Sequence, residues 1–311
     1  MPDKEKIAIL GAGVIGASWA SLFLAAGHRV AVHDVSPEFE PAVRAYIKGA
    51  WPVLEALGYG GGDPEAVSFH TDPAEAVAGA AFIQESVPER IEVKHALYGA
   101  IEDALAPGAV IASSASGLTL TEMQGGWRDP APLVLGHPFN PPHLIPLVEV
   151  MGNAKTRPGA VETAEQIYRA AGKETIRVEK EIAGHVANRL QAAIWREMLH
   201  LVEEGVCSVA DADKAIWAGP GLRWAAMGPT LIWHLAAGPG GIEEYCNRYA
   251  PSFHRWWDDL GNPRVDGEMI ARLRDGVAEE AQGRDLAALA GERDALIVAM
   301  LRATKGLRSE G

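Results

Sequence analysis

The 311-residue sequence has few cysteines, no long apolar run and no excess of basic residues. Its only two cysteines, Cys207 and Cys246, cannot build a disulfide framework, which favours a reducing compartment. Without a run of about 18 apolar residues, no membrane-spanning helix is expected. The formal net charge of −13 argues against nucleic acid and anionic membrane surfaces as partners. The charged start, residues 1–6, lacks the features of a signal peptide, and we expect a cytoplasmic protein.

The pattern of apolar residues divides the chain into two parts. With 48% hydrophobic and 22% charged residues, the sequence is typical of a globular protein and long enough for two cores. Up to about residue 184, short apolar runs alternate with amphipathic stretches, whereas only helical periodicity continues beyond that point. We therefore predict an α/β fold with a Rossmann-type doubly wound sheet in residues 1–184 and an all-α domain in residues 185–311.

A glycine-rich turn follows the first predicted strand. The apolar run at residues 7–10 leads directly into the turn, and an alanine-rich helix and a second strand at residues 29–33 come next. In a dinucleotide-binding fold the first glycine allows a tight turn, the second lets the backbone approach the pyrophosphate, and the third lets helix and strand pack closely. The turn residues that we expect to contact the cofactor are Gly11, Gly13, Val14, Ile15 and Gly16.

An acidic residue ends the second strand of this unit. Asp34 lies 18 residues beyond Gly16, where a carboxylate accepts hydrogen bonds from the ribose hydroxyls of a dinucleotide. The same charge would repel a 2′-phosphate, so the sequence predicts NAD as the cofactor and not NADP.

A histidine and a glutamate stand on either side of a proline-rich stretch. His137 begins the predicted loop, and Glu149 lies inside the apolar strand Leu147 to Val150. A buried carboxylate needs a partner, and a returning strand would bring it to the histidine. A histidine backed by a carboxylate is a general base with a fixed tautomer. The alternative, a core histidine beside a structural acid, fits this pair equally well when it is taken alone.

Several further motifs occur in one order along the chain. The sequence contains a Glu89-x-x-x-x-Lys94 pair, a serine-rich strand end with Ser116, and the segment Ala187-Asn188-Arg189-Leu190. With these motifs the chain resembles the 3-hydroxyacyl-CoA dehydrogenase family over its whole length. The resemblance implies an NAD-dependent dehydrogenase that acts on a small-molecule substrate.

The resemblance also implies roles for individual residues. His137 and Glu149 match the family's catalytic pair, in which the histidine takes the proton of a 3-hydroxyl as hydride leaves the same carbon. Ser116 and Asn188 match side chains that contact the substrate oxygen, while Glu89 and Lys94 match residues at the nicotinamide side of the cofactor. Taken together, the further cofactor contacts that we expect are Val87, Glu89, Lys94, Ser116 and Asn140. No metal site is predicted.

Two branches of the family share features with this chain. Residues 82–90, 195–202 and 219–228 look closest to the branch that oxidises L-carnitine to 3-dehydrocarnitine, whereas Pro141-Pro142-His143 looks more like the branch that oxidises L-gulonate. Another short-chain 3-hydroxy acid or 3-hydroxyacyl-CoA is a further alternative. A long-chain acyl-CoA is disfavoured, because residues 36–65, which would meet the CoA phosphates, are more acidic than basic. A non-catalytic binding or structural role is a remote alternative, since both residues of the catalytic pair are present.

L-carnitine would need a partner for its carboxylate and a site for its trimethylammonium group. Arg223 is the candidate for the carboxylate. Quaternary ammonium ions bind aromatic faces at about 0.5–2 kcal/mol per ring, and the candidates are Trp224, Trp233 and Phe139. The alternative is that these aromatic rings fill cores and interfaces. The resemblance implies a homodimer, and the apolar helices of the second part favour its formation through them.

Overall fold

The computed structural model describes residues 5–307. The structure contains eight strands: mainly apolar runs form the inner ones, whereas the two edge strands, Val67–His70 and Glu174–Arg177, are more polar. The strands are β1 (Lys6–Leu10), β2 (Arg29–His33), β3 (Val67–His70), β4 (Phe82–Glu85), β5 (Val110–Ser113), β6 (Leu133–Pro138), β7 (Leu147–Met151) and β8 (Glu174–Arg177).

The strands form a single sheet in the order β3-β2-β1-β4-β5-β6-β7-β8. Neighbouring strands are parallel except for β6 and β7, which run antiparallel. The carboxyl ends of β1, β2, β4, β5 and β6 therefore meet at the same edge of the sheet, where ligands of doubly wound folds bind.

Six α-helices cover the two faces of this sheet. They are α1 (Val14–Ala25), α2 (Glu40–Ala56), α3 (Pro73–Val77), α4 (Ile91–Ile101), α5 (Leu120–Gln124) and α6 (Ala160–Ala170). In β1, Ile7 and Ile9 belong to the core formed with α1, α2 and α6, whereas Ala8 and Leu10 belong to the core formed with α3, α4 and α5. This alternation along a strand places one core on each face and confirms the predicted Rossmann-type sheet.

The remaining helices make up the predicted all-α part of the chain. They are α7 (Ala187–Glu203), α8 (Val209–Trp217), α9 (Pro220–Ala226), α10 (Pro229–Ala236), α11 (Gly241–Asp259), α12 (Gly267–Ala281) and α13 (Leu286–Thr304). The described chain divides into two compact units: the first holds residues 5–187 and Ile297–Arg302, and the second holds Asn188–Leu296 and residues 303–307. Across residues 5–307, every helix is too short or too polar to cross a bilayer.

Candidate active site

The glycine-rich turn has the geometry that a dinucleotide requires. Gly11 has φ +96°, a conformation that favours glycine, and a methyl group there would lie 2.7 Å from the carbonyl of Ser86. A methyl group on Gly16 would lie 1.8 Å from the Gly11 carbonyl oxygen, whereas a methyl group on Gly13 would meet no atom within 4 Å. Helix α1 starts after Gly13 with no side-chain cap and no acidic residue in its first turn. Its first N–H groups, including those of Val14 and Ile15, can therefore receive a phosphate.

Asp34 follows β2 and also shapes this turn. Its Oδ2 accepts the Ala12 N–H at 2.8 Å, and its Oδ1 accepts the Ser36 N–H at 3.1 Å. Each carboxylate oxygen keeps an acceptor site, and the residue is only half-buried. The residues at this edge therefore fit NAD: a free helix N-terminus for the pyrophosphate and a carboxylate for the ribose hydroxyls.

The structure brings His137 and Glu149 together. The sequence placed His137 on a loop, which is wrong: β6 continues to Pro138, so His137 lies inside the strand, opposite Glu149 of β7 in the antiparallel register. The reason is that the antiparallel return of β7 supplies hydrogen-bond partners to the end of β6. The His137 Nδ1 lies 2.7 Å from the Glu149 Oε2, and both side chains are buried. A carboxylate can only accept, so His137 Nδ1 carries the proton and Nε2 is the atom left for chemistry.

Glu149 is held by three donors. Its second oxygen, Oε1, accepts the backbone N–H groups of Val186 at 2.8 Å and Ala187 at 2.9 Å. Burial raises the pKa of the Glu149 carboxyl, but the hydrogen bond from His137 and those from the two N–H groups outweigh it and lower the pKa below its ordinary value. Glu149 is therefore ionised at neutral pH and orients the imidazole.

Ser116 meets Glu89 after the end of β5. The Ser116 hydroxyl donates to the Glu89 Oε2 at 2.7 Å, and Glu89 Oε1 accepts the N–H groups of Ser116, Gly117 and Leu118. Burial raises the pKa of the Glu89 carboxyl, but these hydrogen bonds, that of Gly117 first, lower it below its ordinary value. Glu89 thus holds the Ser116 proton in this structure, and the Ser116 oxygen keeps its acceptor sites.

Lys94 lies away from Glu89 and pairs with another acid. The Lys94 Nζ, buried in the first turn of α4, lies 2.6 and 2.8 Å from the two oxygens of Glu85. The expected place of Glu89 and Lys94 at the nicotinamide side stays a prediction. Glu85 also accepts the Val87 N–H at 2.9 Å and the hydroxyls of Tyr98 and Ser113. Because α4 begins only at Ile91, its first turn faces the end of β4, where Glu85 lies.

The segment between β6 and β7 is fixed from two sides. Phe139 follows β6 with its ring 5.5 Å from that of His137, and Asn140 next to it is exposed. Further along, Ser18 of α1 accepts the His143 N–H at 2.9 Å, and the buried Lys173 donates to the carbonyl oxygens of Pro142 and Ile145. Burial lowers the pKa of Lys173 to about 7.

The other predicted residues lie in the helical unit. Asn188, in the first turn of α7, lines a cavity of about 940 Å³ together with Trp195, Trp217 and seven further residues. Arg223 is exposed on α9, beside the half-buried Trp224. Trp233 of α10 packs into an aromatic cluster, with its ring 5.8 Å from Tyr245 and 5.5 Å from Phe253. Across residues 5–307, Trp224 takes part in no ring–ring contact, so a cage built on Trp224 and Trp233 together stays a prediction.

One buried residue near His137 was missed. His185 is 3% exposed, and its ring centroid lies 5.0 Å from that of His137. In the sequence it follows Gly184 at the point where strands give way to helices. Nothing in its residue type or spacing distinguishes it from the start of the helix that follows.

A doubly wound sheet with a glycine-rich turn, an acid after β2 and a buried histidine–glutamate pair is typical of an NAD-dependent dehydrogenase. Residues 6–182 match the NAD-binding domain of 3-hydroxyacyl-CoA dehydrogenase, and residues 184–269 match its C-terminal domain. The chain belongs to the 3-hydroxyacyl-CoA dehydrogenase family.

Full-length relatives carry a narrower name. The L-carnitine dehydrogenase of Streptomyces coelicolor is 46% identical over 99% of this chain and 97% of its own. The L-carnitine dehydrogenase of Pseudomonas putida is 40% identical over 99% of this chain and 96% of its own. Among solved structures, an NAD⁺-dependent dismutase, 5-formyl-3-hydroxy-2-methylpyridine 4-carboxylic acid 5-dehydrogenase, superimposes with a TM-score of 0.82 at 30% identity, over 97% of this chain and 99% of its own.

Proposed function

We propose that this chain catalyses the NAD-dependent oxidation of the 3-hydroxyl of L-carnitine, which gives 3-dehydrocarnitine. The observation that carries the proposal is the full-length likeness to the L-carnitine dehydrogenase of Streptomyces coelicolor. The geometry of the histidine–glutamate pair supports the reaction type, because it leaves a basic nitrogen beside an ionised carboxylate.

His137 is the general base of the proposed reaction. Its Nε2 takes the proton of the 3-hydroxyl, while Glu149 holds Nδ1 and stabilises the imidazolium that forms. NAD, when bound, supplies the hydride acceptor. The buried position of the pair excludes bulk water, which strengthens the interaction between the two charges.

Ser116 and Asn188 orient the substrate oxygen. The Asn188 amide can donate to this oxygen and balance its developing negative charge. The Ser116 hydroxyl, which donates to Glu89 in this structure, can do the same when it turns towards the substrate.

The cofactor residues lie along the edge of the sheet. We assign the pyrophosphate to the glycine-rich turn (Gly11, Gly13, Val14, Ile15 and Gly16) and the ribose hydroxyls to Asp34. Val87, Glu89 and Asn140 contribute at the nicotinamide side, and Lys94 acts there through Glu85, which it neutralises and holds. Arg223, Trp224, Trp233 and Phe139 stay the proposed contacts of the carnitine carboxylate and trimethylammonium groups.

The test is NADH formation by the purified protein with NAD and one substrate at a time. We expect turnover with L-carnitine and little with D-carnitine, L-gulonate or 3-hydroxybutyryl-CoA. The His137→Gln variant, which keeps a side chain able to hydrogen-bond Glu149, is the matched control for background reduction. Turnover of L-gulonate alone would contradict carnitine as substrate and keep the assignment of the catalytic pair.

We also propose a cytoplasmic homodimer that forms through the helical domain, with the domain boundary near residue 184. In support, Trp217, Trp256 and Trp257 are each more than half exposed in the single chain, at 63%, 57% and 60%, and large apolar patches mark interaction sites. Light scattering should give twice the mass of one chain, and a stable monomer would contradict the proposal.

A further inference from the structure

His185 has an unusual backbone for a buried residue. Its φ is +49°, and it shares a positive φ with only one other non-glycine residue of the described chain, Gln282. Gln282 ends helix α12, where a left-handed residue is common. His185 stands between β8 and α7, inside the first unit, so its conformation has no such explanation.

The left-handed turn at His185 has a consequence for Glu149. It directs the N–H groups of the next two residues, Val186 and Ala187, to the same oxygen of Glu149, at 2.8 and 2.9 Å. Successive backbone N–H groups of this kind form a concave site for an anion. The backbone at His185 therefore holds the carboxylate that orients His137.

The imidazole of His185 contacts two parts of the site. Its Nε2 lies 3.1 Å from the carbonyl oxygen of Ala115, the residue before Ser116. Since a carbonyl only accepts, Nε2 carries the proton. On its other side the ring packs against His137, with the centroids 5.0 Å apart and the planes at 53°.

The second ring nitrogen of His185 does not stabilise the described part of the chain through a hydrogen bond. The Nδ1 of His185 is buried and has no hydrogen-bond partner among residues 5–307. A buried polar atom without a partner and a left-handed non-glycine backbone both cost free energy. A phenylalanine would fill the same space without the unpaired nitrogen, so packing alone does not account for a histidine at this position.

We propose that His185 is a positioning residue, which holds Glu149 through its backbone and fixes the His137 ring and the Ser116 strand end through its side chain. The inference rests on the proposed function in one respect, that His137 is the base. A displacement of the base by a fraction of an ångström is costly, because proton transfer depends on the geometry of the reacting atoms.

The experiment compares His185→Phe with His185→Gln. His185→Phe keeps a ring of similar size and removes the donor to Ala115, whereas His185→Gln keeps an N–H donor at a similar distance from the backbone. We expect kcat to fall by about 10- to 100-fold in His185→Phe, with the KM for NAD and the Tm unchanged or the Tm raised. His185→Gln should recover part of the lost kcat. A residue that only fills space would show the opposite: kcat per folded molecule unchanged in His185→Phe.

A second measurement does not depend on the substrate. The proton between His137 Nδ1 and Glu149 should give a low-field proton resonance in NMR spectra of the wild type that is absent in His137→Gln. We expect this resonance to shift or broaden in His185→Phe and to return towards its wild-type position in His185→Gln. If wild type turned over none of the substrates, the proposed function would fail while this resonance could still be followed. A resonance unchanged in His185→Phe would overturn the role of His185.

Discussion

Two buried carboxylates at the same edge of the sheet are held in different ways. Glu85, at the end of β4, receives hydrogen bonds from Lys94 at both oxygens, from Val87 N–H, and from the hydroxyls of Tyr98 and Ser113. Glu149 on β7 receives two backbone N–H groups and the Nδ1 of His137. Both carboxylates are 0% exposed.

The difference lies in what the partners can still do. Burial, and then the charge of Glu85, raise the pKa of the Tyr98 phenol, so this donor keeps its proton at neutral pH. The partners of Glu85 thus serve as hydrogen-bond donors around a buried ion pair. His137 has a second nitrogen that can take up and release a proton. One carboxylate stabilises the sheet edge, and the other supports a reaction.

The largest effect on kcat should follow from replacing His137, which removes the nitrogen that takes up the proton. His137→Gln can still hydrogen-bond Glu149 but cannot act as a base, so kcat should fall by about 10²–10⁴-fold, the usual range for general acid–base catalysis. Steady-state kinetics with L-carnitine measure the effect, and circular dichroism serves as the control for folding. A variant that kept most of its kcat would remove His137 from the mechanism.

The same substitution in the two carboxylates should separate their roles. Glu85→Gln leaves Lys94 buried without a counter-charge, which should lower the free energy of unfolding by about 3–5 kcal/mol. Because Lys94 acts at the cofactor through Glu85, the KM for NAD should rise, whereas kcat at saturating NAD should fall less than in Glu149→Gln. Glu149→Gln is the matched control: it should lose about 10²-fold in kcat with a smaller loss of stability. Urea unfolding and kinetics on both variants test the pair. If both variants behaved alike, the distinction between the two carboxylates would be wrong.

The sheet and one of these carboxylates could be predicted from the sequence. Mainly apolar runs of four to six residues mark the inner strands, because both faces of this sheet are covered, whereas the edge strands β3 and β8 are more polar. The pairing of His137 with Glu149 followed from the antiparallel return of a short strand. The placement of His137 in a loop was wrong, since the strand-breaking effect of Pro138 begins only beyond the last pair of the ladder.

Other features of the site could not be predicted, for physical reasons. Glu85 and Glu89 both precede Lys94 closely, and the choice between them depends on where α4 begins. The left-handed backbone of His185 could not be predicted, because the residue before it is Gly184, and glycine is the residue type expected in such a conformation. In the helical unit, helical periodicity shows which residues share a face but not which ring each face meets, so the contact of Trp233 with Tyr245 and Phe253 was not predictable.

Lys173 extends the comparison to a buried lysine that has no carboxylate partner among residues 5–307. The pKa of Lys173 is lowered by burial to about 7, from an ordinary value of 10.5. Between these two pH values the unfolded chain binds a proton that the folded chain does not, so stability should rise with pH, by up to about 1.4 kcal/mol per pH unit. Lys173→Met should remove this rise.

The measurement is the free energy of unfolding of wild type and Lys173→Met between pH 7 and 10. Lys180→Met, at an exposed lysine, is the control and should keep the wild-type slope. Equal slopes in wild type and Lys173→Met would show that Lys173 is solvated.

The smallest effect is expected at Glu89, an exposed carboxylate that is nevertheless surrounded by donors. Burial raises its pKa, but the N–H of Gly117, the Ser116 hydroxyl and two further N–H groups lower it below the ordinary value of 4.5. Because the folded pKa is the lower one, the stabilisation is fully present above pH 4.5 and is lost as the pH falls through the folded pKa. Glu89→Gln should therefore lower stability at pH 7, by no more than about 1 kcal/mol because the group is exposed, and the difference from wild type should vanish in acid.

Thermal unfolding over a pH series tests this, with Glu92→Gln, an exposed glutamate on α4, as the control. A difference that persisted unchanged at low pH would mean that the Glu89 side chain stabilises the protein by packing and not by its charge. The comparison of carboxylates by their hydrogen-bond donors would then apply only to buried groups.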